Sequence, residues 1–426
     1  MDKAPHPFTF RDYRFYWAAR FMSTIAQLSM VIVIGWQVYD IARRTMGVHD
    51  AALQLGWIGL AQFLPLLVLT LITGWTADRL DRRWIARSTA LLELSCAAAL
   101  GLLAWTGTTT LPALFGIAAL LGVARAFAGP ALGAIAPNLV PAPVLPTAIA
   151  FSSISWQAGS VVGPALGGYL YAVAPWVPFA VSTILFAACF TCLMFIRPLP
   201  RRAIGGSTNP WAQMIDGLHY VRRNRLVLGA ISLDLFAVLL GGATAMLPVY
   251  ARDVLHVGAD GLGNLRAAPS FGSAITAIII SIRPLKSNVG VKMLFAVGVF
   301  GAATVGFGVS RWMPLSLACL ALLGAADMIS VYVRQSLIQL WTPDDMRGRV
   351  GAVSSLFISG SNELGEAESG FLASLVGPVP AVIAGGIGAM LVALSWSWWF
   401  PELKRAKTFD PPKTLEDIPL EKEKAA

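Results

Sequence analysis

Long apolar runs alternate with short charged breaks along the whole chain. A helix needs about 20 mostly apolar residues to cross the hydrocarbon core of a bilayer. Twelve runs have that character: 15–41, 53–77, 84–105, 111–139, 145–173 and 176–196, then, after the break 197–225, 226–250, 261–282, 291–309, 313–340, 350–376 and 380–400. Glycine and proline inside them (Gly129-Pro130, Gly163-Pro164) permit close packing and kinks in lipid and do not veto a helix. The pattern predicts an all-α membrane protein with twelve transmembrane segments. Its parts are an N-terminal arm (1–14), a six-helix bundle (15–196), a linker (197–225), a second six-helix bundle (226–400) and a tail (401–426).

The breaks set the orientation. With both termini cytoplasmic, the cytoplasmic segments hold 24 of the 32 basic residues: three in the arm, four in 79–87, six in the linker, three in 283–292, two at Arg347 and Arg349, and six in the tail. The opposite face holds Arg43, Arg44, Arg252 and Arg311, and Arg20, Arg125, Arg266 and Arg334 fall inside segments. That asymmetry predicts cytoplasmic termini and an even segment count. Within the linker, Met214, Ile215, Leu218 and Val221 fit one face of an amphipathic helix lying on the membrane surface. The Lys- and Glu-rich tail, with Pro411-Pro412, reads as disordered.

Composition agrees. The chain is 56% hydrophobic and 13% charged, against about 25% charged for a soluble domain. Its net charge of +9 is explained by basic cytoplasmic loops, so no nucleic-acid partner is expected. Cys96, Cys189, Cys192 and Cys319 sit in apolar runs and read as small buried hydrophobes. No phosphate-binding loop, nucleophile elbow or His/Cys cluster is present, so an enzyme, a metal and a cofactor are not expected. The two halves repeat. An offset of 202 residues aligns Pro141 with Pro343, Ser152-Ser153 with Ser354-Ser355, Gly163 with Gly365 and Gly168 with Gly370. Two related six-helix bundles joined by a linker form the architecture of a two-bundle transporter.

Ionisable residues at membrane depth are functional candidates. In the first segment Arg20, Ser23, Thr24 and Gln27 share a face. Arg125 in the fourth segment has Asp327 as its offset partner in the tenth, and Arg334 lies two turns further on. Asp234 lies in the seventh segment, and Asn362, Glu363, Glu366 and Glu368 lie in the eleventh. Desolvation disfavours the charged form of a carboxylate, which suits an isolated acid to proton coupling. A static ion pair, Asp327 with Arg334 or a glutamate with an arginine from another helix, is the alternative. Glu93 and Asp40 are weaker candidates, placed at a vestibule or the headgroup region. Gly159, Gly163, Pro164, Gly167 and Gly168 form a groove for a neighbouring helix. Gly74, Asp78, Arg79, Arg82 and Arg83 crowd the turn after the second segment, where charge must stay outside the lipid.

That last string, Gly74-x-x-x-Asp78-Arg79-x-Asp81-Arg82-Arg83, resembles the loop 2–3 signature of the major facilitator superfamily. Arg125-x-x-x-Gly129 resembles the superfamily's helix-four motif, and Gly159 to Gly168 the helix-five motif of drug–proton antiporters. Phe10 to Phe15 and Ser361 to Gly370 are similar to the bacterial subfamily of the enterobactin exporter and macrolide efflux proteins. Asp81 departs from the signature's glycine and tolerates a left-handed turn less readily. The loop at Arg283 to Lys286 keeps little of the motif. The resemblance implies a monomeric, proton-coupled exporter in a bacterial inner membrane, working by alternating access on a siderophore or similar small amphipathic solute. Trp36, Trp57 and Trp156 suit such a solute. Multidrug or macrolide efflux, lysophospholipid flipping and a non-transporting sensor stay open. Asp78 is expected to close a cytoplasmic gate against the N-terminus of the eleventh segment.

Overall fold

The protein is described by a computed structural model covering residues 5–79, 81–198, 210–285 and 287–409. The first half folds into α1 (Arg11–Ala42), α2 (Val48–Arg79), α3 (Arg82–Thr106), α4 (Leu111–Ile135), α5 (Leu145–Val173) and α6 (Val177–Met194). α7 (Pro210–Arg223) links the halves. The second half comprises α8 (Arg225–Leu240), α9 (Leu247–Val249), α10 (Ala259–Ile282), α11 (Val289–Val309), α12 (Met313–Trp341), α13 (Asp344–Val376) and α14 (Pro378–Trp399), with a short α15 (Pro401–Arg405) after it. Among the described residues, ten helices are long and apolar enough to cross a membrane, the stretch from α8 through Val254 counting as one. α5 and α13 are as long but do not reach that apolarity: α5 is rich in glycine and serine, and α13 carries several charges.

The helices run up and down, so each bundle has two ends. The linker end carries the N-terminal arm, the α2–α3 turn, α7 and the tail. The bundles meet along two helix pairs, α2 with α13 and α5 with α10. Small residues set both crossings near the opposite end. A Cβ on Gly168 would stand 2.8 Å from the Gly263 Cα, and one on Gly370 would stand 2.6 Å from the Gly56 Cα. Gly168 and Gly370 are the repeat-related pair, so the internal repeat reappears as two equivalent contacts. One apolar cluster, including Met30, Leu55, Leu262 and Phe307, runs through both bundles at this end. At the linker end the halves bury separate cores, one around Tyr13 and Ile135 and others around Leu226 and Val350.

Three expectations are corrected. The seventh segment is not continuous. Gly241-Gly242 interrupts it after Leu240, where a Cβ on Gly242 would stand 2.5 Å from the Gly365 carbonyl oxygen of the passing α13. Without side chains to hold helical dihedrals, the backbone yields there. The chain resumes as α9 and ends in a π-turn, Tyr250–Val254. α7 does form, but Met214, Gly217 and Val221 turn toward α13 and the second bundle's core, with Gly217 against the Arg349 backbone. Ile215 and Leu218 remain exposed. The tail's start is ordered: Arg225 pairs with Glu402 at 3.2 Å, Gly290 N–H donates to the Ala406 carbonyl, and Trp341 Nε1 donates to the Phe409 carbonyl. The remainder of the tail lies outside the described residues.

Candidate functional site

A cavity of about 670 Å3 opens between the bundles, on the linker side of the crossings. That volume lies within the range of small-molecule sites. From α1 it takes Arg20, Ser23, Thr24 and Gln27, the face marked by helical spacing, and from α4 it takes Arg125 and Gly129. Phe63, Trp156 and Leu356 supply apolar wall. Of the three tryptophans singled out, Trp156 reaches the cavity. Trp36 packs on the core and Trp57 is exposed.

The helix-five glycines explain how α1 presents its polar face. A Cβ on Gly159 would stand 2.6 Å from Thr24 Cγ2, one on Gly163 2.9 Å from the Ile25 carbonyl oxygen, and one on Gly167 2.7 Å from Ser29 Oγ. With Pro164 also buried, α5 and α1 lie closer than side chains would allow. The expected groove is therefore present. Its occupant is α1 along three glycines, and α10 at Gly168.

The ionisable candidates fall into three groups. On the cavity wall, Arg125 Nη2 lies 3.3 Å from Glu363 Oε1, an ion pair that joins α4 of one bundle to α13 of the other. Gln62 also receives a hydrogen bond from Arg125. One turn along α13, Glu366 lies 3.5 Å from Arg266 of α10. Inside the second bundle, Arg334 pairs with Asp234, not with Asp327. This corrects the pairing expected within one helix: seven residues put Asp327 and Arg334 about 10 Å apart along the axis, while α8 offers Asp234 beside Arg334. Asp327 shares a small space with Asp234 and Ser330. Two carboxylates thus neighbour one guanidinium.

Two candidates ranked low in the sequence carry more than expected. Glu93 is 2% exposed and accepts a hydrogen bond from Gln27 Nε2 at 2.5 Å, so it belongs to the bundle interior and not to a vestibule. Asp40 accepts from Arg252 Nη1 at 2.6 Å and from Arg44 at 2.9 Å. Beside it, Arg43 donates to both oxygens of Asp253, at 3.2 and 3.3 Å, and Tyr39 donates to the same carboxylate. These contacts tie the end of α1 to the π-turn after α9, across the bundles, and seal the end opposite the linker. Sequence reasoning treated the arginines as topology markers alone. The signal available to it was two acid–base clusters, Asp40 to Arg44 and Arg252-Asp253, at the ends of equivalent segments.

At the other end, the side chains of Gly74, Asp78 and Arg79 lie outside the described residues. Arg83 pairs with Asp81 at 2.6 Å and donates to the Ile196 carbonyl, and Arg87 donates to the Leu193 and Met194 carbonyls. Both arginines hold the free carbonyls at the end of α6. Asp81 takes no left-handed turn: it is extended (φ −65°, ψ 114°) and caps α3, accepting from the Arg83 N–H. The substitution for glycine exchanges turn flexibility for a helix cap. The Arg83 guanidinium beside it, together with that backbone bond, holds the Asp81 carboxyl below the usual carboxylate range.

With this geometry in place, comparison with known proteins identifies the scaffold. The chain matches the family model described as transmembrane secretion effector over residues 3–421. It is 27% identical over 425 residues to the enterobactin exporter EntS of Citrobacter koseri, covering 96% of each chain. It is 26% identical over 419 residues to EntS of Escherichia coli O1:K1, covering 95% of each. Among solved structures it is similar to a bacterial homologue of the human lysosomal transporter Spinster, in an inward-facing and occupied conformation, with TM-score 0.74 and 12% identity over 96% of this chain and 100% of that one. A D-xylose–proton symporter gives TM-score 0.70 and 15% identity over 95% and 100%. The chain is a multi-pass membrane protein of the transmembrane secretion effector family and belongs to the major facilitator superfamily.

Proposed function

We propose that the protein is a proton-coupled exporter that works by alternating access. The observation that carries this reading is a cavity between two bundles whose glycine crossings lie near the end opposite the linker, with an ion pair, Arg125–Glu363, spanning the bundles at its wall. With both termini cytoplasmic, as the distribution of basic residues favours, the cavity faces the cytoplasm and the Tyr39, Asp40, Arg43, Arg252 and Asp253 cluster is the periplasmic gate. The membrane is then the bacterial inner membrane, and the working unit a monomer. In the alternate state Gly74, Asp78, Arg79 and Arg82 close the cytoplasmic side against the start of α13.

Asp327 is the proposed proton carrier, because it and Asp234 neighbour a single guanidinium. Glu363 is the proposed link between protonation and movement: neutralising it frees Arg125 and removes a bond between bundles. The cargo is a siderophore or similar small amphipathic solute, a reading supported by the relatives named as enterobactin exporters and by the aromatic wall at Trp156 and Phe63.

The test is transport in proteoliposomes with an imposed proton gradient, using a panel of labelled siderophores and amphipathic drugs. Export is expected to rise with the gradient and to stop in Asp327→Asn, with membrane insertion unchanged. Transport indifferent to collapse of the gradient would contradict proton coupling. Normal export in Asp327→Asn would move the carrier to Glu363, Glu366 or Asp234. Binding without transport would favour a sensor.

A further inference from the structure

The charge balance of the cavity wall narrows the cargo. Among the described residues, two guanidiniums line the cavity and no carboxylate does. Arg125 is balanced by Glu363 at 3.3 Å. Arg20 is not balanced. Its Nη1 donates to the hydroxyl of Tyr16 at 3.0 Å, its Nε is buried without a partner, and among the described residues no carboxylate pairs with it. Glu93, on the neighbouring α3, is engaged by Gln27, whose amide stands between that acid and the cavity wall.

A guanidinium does not release its proton in a protein, so Arg20 is no proton carrier. A structural role asks for a carboxylate or a set of carbonyls, and Arg87 illustrates one: its guanidinium is taken up by the carbonyls at the end of α6. Arg20 has a neutral phenol instead. An unbalanced charge at membrane depth is costly, and an anionic group in the cavity removes that cost. We infer that Arg20 is the anion subsite of the transport cavity and that the protein selects organic anions. The charged head sits on Arg20, and Ser23, Thr24 and Gln27 continue along the same face of α1 over the next two turns, offering hydroxyls and an amide to further polar groups. The apolar body lies against Trp156 and Phe63. The inference rests on the transport reading above and adds the charge of the cargo to it.

A matched pair of probes tests it. 1-Anilinonaphthalene-8-sulfonate and N-phenyl-1-naphthylamine share one aromatic body and differ by the sulfonate. Their binding to the full chain in lipid nanodiscs is read by the rise in probe fluorescence, with empty nanodiscs subtracted. The wild type is expected to bind the sulfonate at least about ten-fold tighter than the neutral probe, the smaller end of what a hydrogen bond to a charged group contributes. Arg20→Gln is expected to lose that preference while its affinity for the neutral probe stays within about two-fold. Arg20→Lys keeps part of it, as a point charge without the planar fork. Equal affinities in the wild type, or a preference that survives in Arg20→Gln, would overturn the inference. If Arg20→Gln does not fold, the wild-type ratio and Arg20→Lys decide. The same proteins in the proteoliposome assay separate the two claims. Export without preference for the anion defeats the subsite alone. Anion preference with no export of any probe defeats the transport reading and leaves the subsite standing.

Discussion

Arg334 is 2% exposed and Asp234 5%. Breaking a buried ion pair by removing one partner costs about 3–5 kcal/mol, because the other charge is stranded. Arg334→Gln and Asp234→Asn are each expected to lower thermal stability in detergent by that order. The double variant should lose less than the sum, and additive losses in thermal melts would show the contact to be unimportant. The Arg125–Glu363 pair differs in kind, since its arginine borders the cavity. There the expectation is kinetic. Arg125→Gln and Glu363→Gln each slow export, and the double variant is no slower than either, with a coupling on the order of 1 kcal/mol in a double-mutant cycle. Outside the membrane, Asp81 caps α3. Asp81→Ala should cost about 1 kcal/mol. The wild-type contribution has a definite sign with pH. The carboxyl is held below its ordinary range, so its stabilisation is complete above about pH 4 and is lost as pH falls through the lowered value. A stability difference between wild type and Asp81→Ala that persists at the acid limit would contradict this.

At the scale of elements, helix approach is governed by a few glycines. Gly168 against Gly263, and Gly370 against Gly56, bring the bundles together at one end. Gly168→Val or Gly370→Val is expected to wedge that end open, raise cysteine-reagent access to positions such as Ile32 and Leu55, and slow export several-fold. Unchanged accessibility would mean that the crossings tolerate bulk and set no closure. These contacts were legible in part. Period and spacing marked Gly159 to Gly168 as a groove, and the 202-residue offset marked Gly370 as its equivalent. The partners were not legible, because a string of small residues names no neighbour. Likewise the linker helix was visible as an apolar face in 214–221, but its docking on α13 depends on Gly217, whose lack of a side chain carries no hydrophobic signal.

For the whole molecule, run lengths carried the architecture, since the bilayer sets the length of a spanning helix. Pairings among buried charges were harder to read. Asp234 reaches Arg334 from another helix, and Glu363 reaches Arg125 from the other bundle, and sequence separation contains neither contact. The cluster at Tyr39, Asp40, Arg43, Arg252 and Asp253 is hidden in the sequence because topology alone accounts for its arginines. The proposed alternating access needs two states of similar free energy. Partly exposed ion pairs contribute little each, and a state populated within a few kcal/mol is what a shifting equilibrium needs.

The most direct test of that claim is a pair of distances measured at both ends of one protein in lipid. Spin labels at Thr45 and His256 report the sealed end, and labels at Trp84 and Gly348 report the cavity end, by double electron–electron resonance across a pH series with and without cargo. The account predicts two populations at each end. As the long distance at 45–256 gains weight, the short distance at 84–348 gains weight with it. A single unchanging distance at both ends, or ends that open together, would contradict alternating access in this protein.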